Sequence, residues 1–226
     1  MLFKIVRPPR CDRRNILSPV AVHIGNKAHF VFVICISLFF AAVTANVFTD
    51  EKKTFIWHFD EGCGDMAREA TASCNDGKFY GSGIQWTEGK LNKGLVFTGS
   101  DAHPQWINVP HSPDLNIQQA ITMEAWMFPN EIGPTRATII HKSSSYHLQL
   151  DMTSKVTVRL YGLEPSGYQT SHGRVKICEW NHIAITYDGT EIKFYINGEQ
   201  DENVASTTGK IKRTTNPVFF GGDWPG

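Results

Sequence analysis

The stretch Ile121-Thr122-Met123-Glu124-Ala125-Trp126-Met127-Phe128 alternates without a break before Pro129 stops it. Ile121, Met123, Ala125 and Met127 fall on one side, and Thr122, Glu124 and Trp126 on the other, which is the period of a half-buried strand. The pattern repeats upstream, where Phe55, Trp57 and Phe59 alternate with Thr54, Ile56 and His58. The turn Asn75-Asp76-Gly77 leads into Lys78–Gly81, followed by Ile84–Thr87, Gly94–Thr98 and Gln105–Val109, the last halted by Pro110. Downstream come Thr138–Lys142, Tyr146–Asp151 and Lys155–Tyr161. His182–Tyr187 and Glu191–Ile196 then flank Asp188-Gly189-Thr190, a hairpin signal; Asn197-Gly198 is the next reversal, and Val218–Phe220 closes the series. No helix-length stretch of this region sustains a 3.6-residue period, so an all-β sandwich or barrel is expected.

Composition agrees with a packed domain. Of 226 residues, 19% are charged and 12% aromatic, which excludes a charge-driven disordered chain. Zero net charge hides two unlike parts. Residues 1–29 carry Lys4, Arg7, Arg10, Arg13, Arg14 and Lys27 against Asp12 alone, which leaves the remainder acidic. That remainder offers no basic surface for the phosphate contacts that dominate nucleic-acid affinity, so nucleic acid is excluded as a partner.

Phe30–Ala45 reads FVFVICISLFFAAVTA, an apolar run behind a basic flank with small residues at Val43 and Ala45. Read as a helix, this is either a secretory signal cleaved before Asn46 or an uncleaved membrane anchor. In both cases the residues after Asn46 are outside the cytoplasm, and any membrane contact runs through this segment alone. The chain divides into residues 1–45, a short linker at 46–53, and one domain at 54–226 with no internal repeat. In the oxidising compartment this implies, Cys63 and Cys74 flank a polar loop that a disulfide would restrain by roughly 3 kcal/mol. Free thiols and a metal site are the alternatives, although no second pair or histidine cluster completes a zinc set. Cys178 is left as the odd thiol.

The motifs also resemble a known family. Trp57-His58-Phe59-Asp60-Glu61-Gly62, Gly89-Lys90, Gly94-Leu95-Val96-Phe97, Val109-Pro110-His111-Ser112-Pro113-Asp114-Leu115, Glu179-Trp180-Asn181-His182-Ile183-Ala184 and Tyr195-Ile196-Asn197-Gly198 stand in the order of laminin-G-like domains of the concanavalin A-like lectin/glucanase superfamily. The resemblance implies a two-sheet antiparallel jelly-roll sandwich, here preceded by the N-terminal hydrophobic helix. It also implies a last strand of the type Gly-x-Ile-Asp-Asp/Glu-Val-Arg-Ile-Tyr beside the first. No such sequence follows Gly221-Gly222 before Gly226, so an incomplete domain is expected, with an unpaired edge on Phe55–Phe59. Family members bind calcium at the sandwich rim, and Asp60 matches a ligand position, with loop carbonyls near Asn75–Gly81 as helpers. The partner carboxylate would lie in the missing strand. Without calcium, Asp60 caps the turn into Glu61-Gly62.

The implied function is non-catalytic recognition of a glycan or an extracellular protein. A purely structural or adhesive domain is the alternative, and a glycoside hydrolase relative the third reading. Glucanase relatives place Glu-x-Asp-x-Glu on one strand, where period two aims all three at one face. This chain offers Glu124 alone, and Asp60-Glu61 and Asp201-Glu202 are adjacent pairs. His58 and His182 read as hydrogen-bonded structural residues, and Trp57, Trp126 and Trp180 as packing. Trp86, Trp106, Tyr168 and Trp224 lie near strand ends, where rings stack on sugars. Lys142 with Ser143–Ser145 reads as a solvated turn.

Overall fold

The structure, a computed structural model, describes the backbone of Val33–Ile36 and residues 53–71, 73–99, 103–133 and 135–222. The alternating segments become strands: β1 (Val33–Ile36), β2 (Phe55–Trp57), β3 (Met66–Ala67), β4 (Gly77–Tyr80), β5 (Gln85–Glu88), β6 (Lys93–Val96), β7 (Trp106–Val109), β8 (Ile121–Met127) and β9 (Ala137–Lys142). The chain continues through β10 (Tyr146–Leu150), β11 (Lys155–Leu160), β12 (Leu163–Glu164), β13 (Gln169–Arg174), β14 (Asn181–Tyr187), β15 (Glu191–Ile196), β16 (Glu199–Ser206), β17 (Thr208–Gly209) and β18 (Val218–Phe220). Among the described residues the one short helix, a 3-10 turn, is Pro113–Leu115.

Two large sheets follow. One has six strands in the order β16-β15-β14-β8-β1-β2, the other eight in the order β13-β11-β10-β9-β18-β7-β4-β3, and every pairing in them is antiparallel. The core lies between them. Registration aligns Phe79, Ile107, Phe220, Ile140, Leu148 and Val158 in one transverse row of the eight-stranded sheet. They join Ile121, Met123, Ala125 and Met127 of β8 with Ile183, Ile185 and Phe194 in one apolar cluster. Trp57 meets Phe220 edge-on at 5.0 Å between ring centroids, and its indole N–H donates to the Asn75 carbonyl at 2.9 Å. Glycine is required at position 77, where a Cβ would sit 2.5 Å from Ile107 Cγ2.

The expected turns form. Asp188 Oδ1 accepts from the Thr190 and Glu191 backbone amides at 2.9 and 3.0 Å to close the β14–β15 hairpin. Asn197 and Gly198 reverse the chain with φ of 55° and 86°, the two positive values a type I′ turn needs. Asp201 pins the sheet edges together: on β16, it accepts from the His172 and Gly173 amides of β13 at 2.8 and 2.7 Å. Burial works to raise its pKa, but these bonds and that from Asn203 outweigh it and hold the carboxyl below its usual range.

Four expectations change. Within the apolar run read as a helix, Val33–Ile36 form a strand; the rest of residues 1–45 lies outside the described residues, and no described helix is long and apolar enough to cross a membrane. The segment is rich in β-branched and aromatic residues, and a short apolar run does not distinguish helix from strand by period. Pairing therefore crosses the 46–53 linker: Ile34 stands opposite Trp57 on one side and Ala125 on the other. This removes the open edge expected on Phe55–Phe59. The other side of β2 is covered too, because Ala70 N–H donates to the Ile56 carbonyl at 2.7 Å and the Ile56 amide donates to Glu69 Oε1 at 2.9 Å. Glu69 is buried, and it also accepts from Thr71 and Ser73.

The Cys63–Cys74 bridge is not formed; Cys74 is exposed and not half of a disulfide, and Cys178 is exposed as well. Lys142 is not in a solvated turn. It is fully buried, and its ammonium donates to the Asn216 carbonyl and meets His111 Nδ1 at 3.4 Å. The register explains this, since Lys142 pairs with Tyr146 and Val218 inside the sheet and only Ser143–Ser145 make the reversal.

Burial lowers the Lys142 pKa from its ordinary 10.5 to about 8. Below pH 8 both folded and unfolded chains hold this proton. Between about 8 and 10.5 only the unfolded chain does, so stability contributed by this group rises with pH across that window by about 3 kcal/mol. Thermal melts of wild type and Lys142→Met from pH 7 to 10.5 should show this rise in wild type and its loss in the variant. Parallel profiles would contradict it.

Candidate functional site

The outward side of the same eight-stranded register carries the unusual chemistry. One residue along from the core row, Lys78, Asn108, Phe219, His141, His147 and Arg159 stand directly opposite one another across β4, β7, β18, β9, β10 and β11. Alternation sends all six to the face away from the core. Beside this row, Thr138, Gln149, Thr157 and Thr170 form a second one, and Tyr80 opposite Trp106 extends the face at its other end.

A bulge sets the phase. Between Leu148 and Gln149 the β9 partner jumps from Ile140 to Thr138, skipping Ile139. Ile139 and Ile140 are therefore both buried in the core, while Thr138 returns to the polar face and its hydroxyl reaches His147 Nε2 at 3.0 Å. Tyr168, just before β13, folds over this part and places its hydroxyl 3.2 Å from His147 Nδ1. A neutral imidazole has one N–H and one acceptor nitrogen, and the two hydroxyls, which donate or accept by rotation, suit either tautomer. His141 and His147 stack at 4.4 Å between ring centroids, and His141 also approaches Phe219 at 6.4 Å.

This face is not an ordinary solvated surface. His147, Gln149, Thr138 and Thr157 are all buried although they point away from the core. Gln149 Nε2 and Asn108 Oδ1 are buried with no hydrogen-bond partner among the described residues. Such groups cost roughly 1–3 kcal/mol each when left without a partner. At the far end, Tyr80 and Trp106 stack nearly parallel, 4° apart and 5.6 Å between centroids, with Tyr80 exposed.

The rim around Asp60 is built differently. Phe59, with φ of 55°, turns the chain after β2 and delivers Asp60 to the β5–β6 reversal. There Asp60 accepts from the Lys93 amide and the Asn92 side-chain amide, each at 3.2 Å. Burial raises its pKa despite these bonds and nearby His58. Glu61 accepts from the Arg68 amide at 2.7 Å, while its Oε2 is buried with no hydrogen-bond partner, and burial raises its pKa as well. Two neighbouring carboxyls short of compensation fit a hard cation. The loop expected to help is otherwise engaged, since the Asn75 carbonyl takes the Trp57 indole, and no group of three or more His, Cys, Asp or Glu is assembled among the described residues.

The other sequence candidates disperse. Trp106 and Tyr168 both belong to the polar face. Trp86 packs on Phe79 at 5.4 Å and donates to the Gly64 carbonyl, and Trp224 lies outside the described residues. Trp57 is fully buried; Trp126 and Trp180 are half-buried against the core. His58 follows β2, with Nδ1 buried and lacking a hydrogen bond, whereas His182 contacts Glu124 at 3.5 Å on the outer face of the six-stranded sheet. Sequence reading missed His141, His147, Asn108, Gln149 and Arg159. A signal existed for two of them: a three-residue turn at 143–145 forces His141 opposite His147.

These features define an antiparallel two-sheet jelly roll with a polar, aromatic-edged face. The chain belongs to the Laminin_G_3 family of the concanavalin A-like lectin/glucanases superfamily, whose model matches residues 101–226. Among solved structures it is similar to domain 4 of AbnA, a GH43 extracellular arabinanase from Geobacillus stearothermophilus, in complex with arabinotriose. That likeness has a TM-score of 0.53 and 16% identity, covers 69% of this chain and 78% of that one, and shows the fold. Mouse laminin alpha1 domains LG4-5 also match, with a TM-score of 0.30 and 8% identity over 91% of this chain and 78% of that one. A search of curated proteins finds no match.

If Gln149 is kept for a ligand rather than for folding, Gln149→Leu should not destabilise the protein, because it removes the buried donor while filling a similar volume. A calorimetric Tm equal to or above wild type is expected. A fall of more than about 4 °C, near 1–2 kcal/mol for this size, would show that the amide is structural.

Proposed function

We propose that this chain is an exported, non-catalytic recognition module that binds carbohydrate across the outer face of its eight-stranded sheet. The observation that carries this reading is the presence on one face of the buried Asn108 Oδ1 and Gln149 Nε2, which have no hydrogen-bond partner among the described residues, together with the Tyr80–Trp106 stack. Saccharides need both parts: side-chain amides for hydroxyl groups, and flat rings for the apolar side of the sugar. The AbnA domain of similar fold carries arabinotriose, which supports the reading by analogy. Export rests on the basic flank and apolar run of residues 1–45. The non-catalytic reading rests on Glu124, which faces outward on β8 beside His182 rather than another carboxylate.

Titration calorimetry against a panel of plant and animal oligosaccharides tests this. At least one should bind, and Trp106→Ala and Asn108→Ala should each weaken it ten-fold or more without lowering Tm by more than a few degrees. A panel without binders, or a binder indifferent to both variants, would instead favour a protein-contact or adhesive role.

We propose in addition that a calcium ion is held at the rim by Asp60 with Glu61. The raised carboxyl pKa values and the unbonded Glu61 Oε2 support this, since a hard cation relieves both. Millimolar calcium should raise Tm in wild type and not in Asp60→Ala. No shift in wild type would leave Asp60 as the cap of the β5–β6 turn alone.

A further inference from the structure

Five large apolar side chains are exposed among the described residues, and three of them, Leu91, Met152 and Ile177, sit on loop tips at one end of the sandwich. Met152, in the β10–β11 reversal, is the most exposed, at 60%. This turn is bound to the loop after β13, since the Val175 N–H donates to the Ser154 carbonyl at 2.9 Å and the Arg174 guanidinium donates to the Thr153 carbonyl. Ile177 follows two residues later. The next amide, of Cys178, donates to the Pro129 carbonyl at 2.7 Å, and Trp180 meets Phe128 edge-on at 5.3 Å between ring centroids. Across the end of β8, Lys90 lies 5.4 Å from the Trp126 ring centroid and brings with it the tip of the β5–β6 hairpin, where Leu91 stands. A continuous set of contacts therefore crosses this end from Met152 to Leu91.

Each tip has a cation at its base. Lys90 precedes Leu91, Lys176 precedes Ile177, and Arg174 is bound to the turn that carries Met152. Nearby acids are mostly engaged: Asp151 accepts from the Thr153 and Lys155 amides, Asp60 from the Lys93 amide, and Glu179 pairs with Lys176 at 3.3 Å, while Glu131 is exposed. A protein interface gathers its apolar groups into a central core with a polar rim. Here they stand on three separate tips with cations between them. That pattern suits the boundary of a bilayer, where the apolar side chain enters the acyl region and the cation meets the headgroup phosphate. The topology brings more positive charge to the same side. β1 is antiparallel to β2 and β8, with Val33 opposite Trp126, so the chain before Val33 leaves the sheet at this end. It carries Lys4, Arg7, Arg10, Arg13, Arg14 and Lys27 against Asp12 alone, and a polybasic segment is drawn to anionic lipid.

We propose that this end of the sandwich docks on the surface of an anionic lipid bilayer. Leu91, Met152 and Ile177 enter the boundary between headgroups and acyl chains, and Lys90, Arg174 and Lys176 contact the headgroups. The charge of the segment before β1 adds to the attraction. Docked by its end, the domain leaves the outer face of the eight-stranded sheet open, and the inference does not depend on which ligand that face takes.

Co-sedimentation of the full chain with phosphatidylcholine vesicles, with and without phosphatidylserine, tests this; EDTA in the buffer removes any calcium bridge through Asp60. Wild type should bind the phosphatidylserine vesicles, and less so as salt is raised. Met152→Asp with Ile177→Asp should raise the lipid concentration for half-binding by about ten-fold or more at unchanged Tm, and the milder Met152→Ser with Ile177→Ser should raise it less. Val204→Asp, which changes an exposed apolar residue of β16 away from these tips, should have no effect. Absence of binding to both kinds of vesicle overturns the inference. Binding that the double aspartate variant leaves unchanged overturns it as well, since the segment before β1 then carries the lipid contact alone. So does a wild-type dimer that this variant converts to monomer in analytical ultracentrifugation, because the tips would then join two copies of the chain.

Discussion

The structure depends on the antiparallel register of the eight-stranded sheet. One row, Phe79–Ile107–Phe220–Ile140–Leu148–Val158, faces the core; its neighbour, Lys78–Asn108–Phe219–His141–His147–Arg159, forms the outer polar face. Because the side-chain period is two, these are the two sides of a single constraint, and a one-residue slip would put histidine and arginine in the core. The bulge at Ile139 shows the constraint locally adjusted. Two successive isoleucines are both kept inside, and polar Thr138 is re-aimed at His147.

The six-stranded sheet meets a different demand, which is to leave β2 no bare edge. β1 pairs along one side, and the Glu69 segment covers the other with backbone bonds and a buried carboxylate. Bare edges recruit other strands, so this arrangement protects the six-stranded sheet at β2. Asp201 then ties the rims of the two sheets through β13 and β16, close to the segment that carries Tyr168.

Much of the fold was legible because its signals are local. Alternation in residues 121–127, the Asp188-Gly189 and Asn197-Gly198 turns, and the stops at Pro110 and Pro129 each act within a few residues. What escaped required pairings distant in sequence. Lys142 looks polar and turn-adjacent, yet Val218, seventy-odd residues away, places it inside the sheet. The apolar run around Val33 has the composition of a membrane helix, and only β2 and β8 on either side make four of its residues a strand. The site was partly visible: Trp106 and Tyr168 stood out as exposed aromatics, whereas Asn108, Gln149 and Arg159 are ordinary strand residues whose meaning comes from the partners they face or lack. Asp60 drew attention by its place in a motif, and its observed neighbours, Asn92 and Lys93, come from a hairpin thirty residues on.

The central claim is that ligand recognition uses the outer side of the register that builds the core. Backbone amide chemical-shift mapping during titration with a bound oligosaccharide tests it directly. The largest shifts should run across strands through Asn108, His141, His147, Gln149 and Arg159 and end near Tyr80 and Trp106. Shifts clustered instead around Asp60–Asn92, or on Trp126 and His182 across the sandwich, would contradict the account and move recognition to another surface.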